Sequence, residues 1–176
     1  MKKALVIIDM QEVFYTLPEN HLYRKDELAG RINVLIDKAR SASVPVVFIQ
    51  HTSSDPGDEF YPGSSDWQLY HGLARREDDT VIRKTTWDAF HETELPDFLQ
   101  KQGVEQLVFA GAQTEFCLDT TLRSAYSHGY KCNLVAKDCH STLDSSVLPA
   151  SKIIEHHENI WNGRFASLQP MEAIAF

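Results

Sequence analysis

Three side chains suited to acid–base and nucleophilic chemistry follow apolar runs of the sequence. Asp9 comes directly after the run 4–8, Lys84 ends the run 81–84, and Cys117 follows the run 107–111. A thiolate is a nucleophile, a carboxylate takes and returns a proton, and an ammonium stabilises both anions. If the runs are parallel strands, the three side chains meet at the carboxyl edge of one sheet, where such sheets bind ligands.

The sequence around Cys117 favours a reactive thiol. Cys117 is predicted to open a helix that carries Leu118, Leu122 and Ala125. The positive end of a helix dipole and a nearby lysine both favour the thiolate. The alternative is an inert buried cysteine, which is the commonest fate of a free thiol.

Asp9 and Lys84 have structural interpretations as well. A carboxylate at the rim of the core could cap a helix or pair with an arginine, and a lone lysine after a strand is usually solvated. The convergence of an acid, a lysine and a cysteine on one predicted edge is what favours an active site.

Apolar runs alternate with amphipathic stretches along the chain. Continuous runs rich in β-branched or aromatic residues are typical of strands buried on both faces of a parallel sheet, and apolar residues at helical spacing predict helices. This alternation implies right-handed βαβ units and an α/β fold with helices on both faces of the sheet. The predicted strands are 4–8, 45–49, 81–84, 107–111 and 130–136, and the predicted helices are 28–41, 95–103, 118–129 and 146–157.

Two other segments bear on the predicted edge. The fifth strand is expected to deliver Lys137 and Asp138 to it. Residues 52–79 hold Gly, Pro, Ser, Asp and several aromatics without a clear period. A connection of that length in a compact fold is usually functional or mobile.

The composition is that of an ordinary globular protein. The 176 residues are predicted to form a single domain, 1–176, and a hydrophobic share of 43% suits one sizeable core. A net charge of −8 without a basic stripe argues against a nucleic-acid partner. No run is long enough for a membrane span, and the apolar run 4–8 is too short for a signal peptide, so a cytoplasmic location is expected. Three scattered cysteines make neither a disulfide framework nor a zinc cluster.

Three segments carry a resemblance to a known family. In order and spacing they resemble an opening aspartate motif, a lysine motif and a nucleophile motif. They are residues 7–11 with Phe14, residues 83–84 with Ala89 and Phe90, and residues 111–117 with Thr120, Thr121 and Ala125. The family is that of the isochorismatase-like cysteine hydrolases, which include nicotinamidases, N-carbamoylsarcosine amidase, ureidoacrylate amidase and streptothricin hydrolase.

The resemblance implies a fold and a set of roles. The fold would be a three-layer α/β/α sandwich around a mostly parallel sheet. Cys117 would attack the carbonyl of a small amide, ureide or cyclic amide and form a thioester, while Asp9 moves the proton and Lys84 stabilises the thiolate. Backbone N–H groups of Gln113 and Cys117 would form the oxyanion hole, next to a cis peptide bond between Ala112 and Gln113. No cofactor is expected. The protein is expected to form a homo-oligomer, either a dimer or a tetramer.

Departures from the family's motifs narrow the range of possible substrates. Nicotinamidases carry an Asp-x-His pair and a further histidine after the second strand, and residues 48–54 lack that pair. The metal site of nicotinamidases is therefore expected to be absent, which makes nicotinamide the lesser alternative. The sequence of residues 113–117 is most similar to the corresponding sequence of streptothricin hydrolases. Candidate substrate contacts are Phe14, His51, Trp87 and Phe116, and core packing is the alternative for each aromatic.

Two other functions remain open on the sequence. One is a catalytically idle scaffold or binding protein with the same fold. The other is a redox sensor in which Cys117 forms a disulfide with Cys139.

Overall fold

A computed structural model describes residues 1–176 and contains one six-stranded sheet with the order β3-β2-β1-β4-β5-β6, in which every neighbouring pair is parallel. The strands are β1 Lys3–Ile8, β2 Val46–His51, β3 Thr80–Lys84, β4 Gln106–Ala112, β5 Leu134–Ser141 and β6 Ser167–Pro170. The helices are α1 Val13–Thr16, α2 Lys25–Ser41, α3 Leu95–Lys101, α4 Asp119–Ser127 and α5 Ala150–Trp161. Short 3₁₀ helices cover Pro18–Asn20 and Met171–Ala173, and one π-helical turn covers Thr114–Leu118.

Helices cover both faces of the sheet, which confirms the predicted three-layer α/β/α architecture. Successive residues of β1 point to opposite faces, so Leu5 and Ile7 join a cluster with α2. Val6 and Ile8 join a second cluster with α3, α4 and α5. Strands covered on both faces need continuous apolar sequence, and β1 and β4 have it. No helix has the length and apolar character to cross a bilayer.

The order of the strands brings the predicted site residues to one edge. Ile8, the last residue of β1, lies beside Ile49 of β2 and Gly111 of β4. His51 at the end of β2 lies beside Lys84 at the end of β3. The carboxyl ends of β1, β2, β3 and β4 therefore lie together around the residue that follows β1, which is Asp9.

Gly111 allows the closest of these approaches. Its φ of +121° lies in a region that L residues rarely adopt, and a Cβ atom here would lie 2.1 Å from the carbonyl oxygen of Ile8. Only glycine fits both conditions. The approach holds the backbone before Asp9 against the segment that leads to Cys117.

The prediction for the fifth strand is wrong at both ends. The strand starts at Leu134, which leaves Cys132 exposed in the preceding turn, and it runs on to Ser141. Between Phe109 and Gly111 of β4 its partner advances from Val135 to His140, and Asp138 has a φ of +61°. Lys137 and Asp138 thus form an exposed irregularity inside the strand, since a bulge admits polar residues without ending the pairing. The edge instead receives His140 and Ser141.

Two other elements differ from the sequence prediction. Helix α5 begins at Ala150, because Pro149 is extended at ψ 150° and disfavours helix in the residue before it. Strand β6 was not predicted, because its four residues are partly exposed and polar.

Residues 52–79 form turns that pack on the chain's own sheet edge. Trp67 is buried, and its indole N–H donates to the hydroxyl of Thr52 (3.1 Å). Gln11 donates to the carbonyl of Trp67 (2.7 Å) and forms an isolated antiparallel bridge with Leu69. The segment is thereby attached to the residues that follow β1.

Candidate active site

Asp9, Lys84 and Cys117 lie in contact at the carboxyl edge of the sheet. Lys84 Nζ is 2.6 Å from Asp9 Oδ2 and 3.1 Å from Cys117 Sγ. The three residues are 2%, 1% and 9% exposed. A buried ammonium needs partners of this kind, since an unpaired charge in the interior is costly. The fold thus brings a carboxylate, an ammonium and a thiol together at the sheet edge, as their positions after the predicted strands indicated.

The Lys84 ammonium has four acceptors within reach. Besides Asp9 and Cys117, the carbonyl oxygen of Thr86 lies 3.0 Å from Nζ and His51 Nδ1 lies 3.1 Å from it. An ammonium donates three hydrogens and accepts none, so His51 Nδ1 facing it must carry a lone pair. His51 is therefore neutral here, with its proton on Nε2.

Electrostatics keep the Cys117 sulfur protonated at rest. Burial raises the pKa of the Cys117 thiol, the Asp9 carboxylate raises it further, and Lys84 acts in the opposite direction. The expectation of a thiolate stabilised by a helix terminus is corrected by this result. Cys117 is the fourth residue of the π-helical turn and not the first residue of a helix, so turn backbone separates it from the free N–H groups.

The pKa of Lys84 moves the other way from most buried lysines. Burial by itself would lower it, but the charge of Asp9 and the hydrogen bonds to Asp9 and Cys117 offset the burial, and the pKa is raised. The side chain is a permanent cation under ordinary conditions. It offsets negative charge on either neighbour as a proton moves between them.

The backbone aims Asp9 into the site. Asp9 has a φ of +46°, a left-handed conformation that is uncommon for residues other than glycine. Its Oδ1 atom is buried and has no hydrogen-bond partner. An acceptor oxygen within the cluster and without a partner is suited to receive a proton.

The turn before Cys117 presents backbone donors. The peptide bond between Ala112 and Gln113 is cis, at the position that the resemblance implies. Gln113 has extended backbone and precedes the π-helical turn, and its N–H has no hydrogen-bond acceptor in the protein. The residue beside it, Thr114, is fully buried and contacts His140 Nδ1 through Oγ1 (3.0 Å).

The donor atoms near Cys117 also have the spacing of a metal site. Ligand atoms of Asp9, His51 and Cys117 lie within 4.8 Å of one another. Lys84 Nζ lies within 3.1 Å of an atom of each of the three. The protein's own cation thus takes the place among these donors, and the set does not fit a metal ion while Lys84 stays there.

Three of the four candidate substrate contacts lie at or next to residues of the site, and the fourth lies in the core. His51 contacts Lys84 directly, and Phe116 precedes the nucleophile with 46% of its surface exposed. Trp87 is 61% exposed beside Thr86. Phe14, in contrast, is 6% exposed and packs in the core with its ring centroid 6.0 Å from that of Phe60, so core packing accounts for it.

Sequence reasoning missed three contributors to the site. Gln11 accepts from the N–H of His51 (2.8 Å) and donates to its carbonyl (3.0 Å), which ties the end of β2 to the residues after β1. The carbonyl of Thr86 holds Lys84, and His140 holds Thr114. Gln11 was detectable as part of the aspartate motif, whereas a backbone carbonyl and a histidine beyond a bulge leave no sequence signal.

The remaining cysteines lie apart from the site. Cys139 is fully buried in the cluster with α2, whereas Cys117 belongs to the cluster on the opposite face of the sheet. All three thiols are free. The sheet between Cys117 and Cys139 argues against the disulfide of the redox hypothesis.

Comparisons with known proteins agree with this site. An isochorismatase domain family model matches residues 3–152, a range that includes all three site residues. A crystal structure described as an isochorismatase family protein superposes with a TM-score of 0.89 at 40% identity, covering 96% of this chain and 98% of that one.

Two curated relatives carry functional names. Nicotinamidase 3 of Arabidopsis thaliana is 29% identical over 84% of this chain and 77% of its own length. Streptothricin hydrolase of Streptomyces noursei is also 29% identical over 84% of this chain, but over 57% of its own length. Equal identity to the two does not separate their substrates. The family model, the fold and the position of the buried triad lead to one conclusion: the chain belongs to the isochorismatase family.

Proposed function

We propose that the protein is a cysteine hydrolase that cleaves a carbon–nitrogen bond of a small amide, ureide or cyclic amide. The observation that carries the proposal is the contact of one buried ammonium, Lys84 Nζ, with both Asp9 Oδ2 (2.6 Å) and Cys117 Sγ (3.1 Å). A structural ion pair between Lys84 and Asp9 needs no thiol beside it, whereas the proposed mechanism uses a nucleophile, a base and a cation in contact.

Acylation begins from the neutral thiol. Asp9 accepts the proton of Cys117 as the sulfur attacks the carbonyl carbon, and the carbonyl π electrons move to the oxygen. The oxyanion accepts hydrogen bonds from the N–H groups of Gln113 and Cys117. Asp9 then gives its proton to the nitrogen as the carbon–nitrogen bond breaks, which releases the amine or ammonia and leaves a thioester.

Deacylation uses the same groups in the same order. Asp9 takes a proton from a water molecule that attacks the thioester carbonyl, and the tetrahedral intermediate expels the sulfur. The proton returns to Cys117, which restores the thiol and releases a carboxylic acid. Lys84 offsets the negative charge that passes between the carboxylate and the sulfur, so it lowers the cost of each transfer.

The raised pKa of Cys117 fits this mechanism. A thiol that stays protonated at rest reacts slowly with oxidants and alkylating reagents, and it becomes a stronger nucleophile toward the substrate when Asp9 removes its proton during attack. The intact cluster also argues against the idle scaffold, because a buried Asp–Lys–Cys contact is expensive to keep without a function.

Substrate contacts come from the rim of the site. We propose His51, Trp87 and Phe116 as substrate-binding residues. The neutral imidazole of His51 carries its proton on Nε2, which suits a carbonyl or carboxylate oxygen of the substrate. Nicotinamide, suggested by the name of one relative, is the second candidate, although the metal ligands of nicotinamidases are missing from residues 48–54.

A homo-oligomer, dimer or tetramer, is part of the proposal. Trp87 and Phe116 expose large apolar surfaces beside the nucleophile, which is unusual for a finished small-molecule pocket. A neighbouring subunit would cover them. Sedimentation that finds only a 20.0 kDa species would contradict this assembly.

The decisive experiment is amide turnover by the wild type, Cys117→Ala and Cys139→Ala. The panel contains nicotinamide, ureides, N-carbamoyl amino acids and cyclic lactams, each with and without a chelator. We expect turnover that vanishes in Cys117→Ala, persists in the matched control Cys139→Ala and survives chelation. No turnover on any member, together with a Cys117 that does not react with iodoacetamide, would favour the idle scaffold.

A further inference from the structure

A second group of buried polar side chains contacts the π-helical turn that holds Cys117. His140 of β5 is 3% exposed, and its Nδ1 lies 3.0 Å from Thr114 Oγ1. Its Nε2 lies 3.4 Å from Glu158 Oε1 of α5. None of these three residues takes part in the mechanism above, yet they form a continuous line from the protein surface to the residue next to Gln113.

The tautomer of His140 determines which group donates the hydrogen bond between His140 and Thr114. A carboxylate beside Nε2 favours the tautomer with the proton on Nε2, which leaves a lone pair on Nδ1. The hydroxyl of Thr114 then donates to Nδ1, its one side-chain contact in the fully buried site. His140 Nε2 has no hydrogen bond, and the Glu158 carboxylate 3.4 Å away acts on it through charge, whereas Nδ1 holds the hydroxyl of Thr114 directly.

The same histidine holds both sides of Gln113. Its backbone lies beside Gly111 in the β4–β5 pair, two residues before Gln113, and its side chain holds Thr114, one residue after it. Gln113 N–H has no acceptor in the protein, so its direction depends on the residues around it.

Helix α5 also fixes the far end of the turn. Trp161 packs on the His140 ring with centroids 5.2 Å apart, and its indole N–H donates to Asp119 Oδ1 (2.6 Å). Asp119 directly follows the turn Thr114–Leu118. One helix therefore contacts the turn at its start, through His140, and at its end.

We propose that His140, with the Glu158 carboxylate near its Nε2 atom, is a positioning residue that fixes Thr114 and through it the oxyanion donor Gln113 N–H. The inference rests on the proposed function, in which that N–H binds the tetrahedral intermediate. His140 touches no reacting atom. It acts by keeping a donor aimed at the place where negative charge develops, which is where such donors are most effective.

Two reactions of Cys117 separate this role from a merely structural one. With p-nitrophenyl acetate, the sulfur adds to the ester carbonyl, p-nitrophenolate leaves and an acetyl thioester remains, so an oxyanion forms. With iodoacetamide, the sulfur displaces iodide at a saturated carbon, and no oxyanion forms. A variant that misplaces only the oxyanion donor slows the first reaction and leaves the second unchanged.

The variants are His140→Leu and Thr114→Val, each with a conservative partner. We expect the acylation rate constant to fall by about 10-fold or more in both, because small misplacements of catalytic groups are costly, with alkylation within about twofold of the wild type. His140→Asn places an amide oxygen near the Nδ1 position, and Thr114→Ser keeps the hydroxyl. Each conservative variant is expected to regain most of the acylation rate.

The outcomes are distinguishable. Acylation and alkylation falling together, or neither falling, would overturn the positioning role while leaving the proposed function standing. If neither reagent reacts with wild-type Cys117, the proposed function is contradicted, and so is this inference, which rests on it. Acylation lost selectively in His140→Leu and restored in His140→Asn would establish the role.

Discussion

Cys117, in the turn after β4, and Cys139, in the carboxyl half of the neighbouring strand β5, are both buried, and burial raises the pKa of each. For Cys139 the pKa rises to about 12, with Arg31 lowering it and Asp138 and Glu172 adding to it. For Cys117 the pKa also rises, but the largest charges around it are Asp9 and Lys84. The pKa values of the two thiols are thus shifted in the same direction, but the charged groups around the two thiols differ.

In the proposed mechanism, this difference in neighbours is what makes Cys117, and not Cys139, the nucleophile. Cys139 packs among aliphatic side chains on the α2 face, with no carboxylate in contact to take its proton. Cys117 has a carboxylate and an ammonium within the same buried cluster. A perturbed pKa is common to both sites, so it does not identify the active one. The adjacent base and cation do.

Asp9→Asn should produce the largest loss of activity. Without a base to take the thiol proton and return it to the leaving nitrogen, amide turnover should fall by about 10²–10⁴-fold. Alkylation of Cys117 by iodoacetamide should not slow, because removing the carboxylate lowers the thiol pKa while Lys84 remains. Steady-state turnover and mass-spectrometric alkylation rates measure the two effects.

The matched control is Asp138→Asn, beside Cys139. It removes a carboxylate near the other thiol, and neither turnover nor Cys117 alkylation should change. A turnover loss in Asp138→Asn equal to that in Asp9→Asn would mean that general charge, and not a specific base, distinguishes the two cysteines.

Lys84→Met should cause the largest loss of stability. The substitution preserves side-chain length but leaves the Asp9 carboxylate buried without its partner, which costs about 3–5 kcal/mol in comparable sites. Turnover should be lost as well. Denaturant unfolding measures the stability, and turnover is compared under conditions in which the variant is folded.

Lys137→Met provides the control for charge removal at a solvated site. Lys137 lies 3.8 Å from Glu158, and half of its side chain is exposed. Its removal should change the free energy of unfolding by less than about 0.5 kcal/mol. Equal losses in the two variants would show that Lys84 is an ordinary ion pair.

The smallest expected effect is on the pH dependence of stability through His51. Burial lowers the pKa of His51, and the Lys84 ammonium lowers it further. Between the ordinary pKa and this lower one, the unfolded chain binds a proton that the folded chain does not. The contribution of His51 is therefore present above pH 6.5 and is lost as the pH falls through the folded-state pKa.

His51→Asn tests that contribution, since its amide oxygen can still accept from Lys84 and does not titrate. Between pH 7 and pH 5 the wild type should lose more stability than His51→Asn, and the NMR titration of His51 should have a midpoint below 6.5. A wild-type midpoint above the ordinary value would show that His51 does not face the ammonium with a lone pair.

Much of this molecule was predictable from its sequence. Continuous apolar runs identified the strands β1, β2 and β4, because strands buried on both faces leave a local signal. The positions of Asp9 after β1, Lys84 at the end of β3 and Cys117 in the turn after β4 predicted that the three lie close together, since parallel strands end at one edge. The path of β5 beyond Asp138 was not predictable, because a bulge depends on pairing with β4 and not on local composition.

The sequence by itself was enough to predict the strands β1, β2 and β4, the closeness of Asp9, Lys84 and Cys117, and the family to which the chain belongs. Tertiary structure alone decided the state of the groups. It placed Cys117 inside a π-helical turn and buried it, so that the thiol is protonated instead of ionised. It also buried Phe14 in the core and placed His140 in contact with Thr114. Burial and the charges of distant residues set these properties, and neither is encoded in the spacing of a motif.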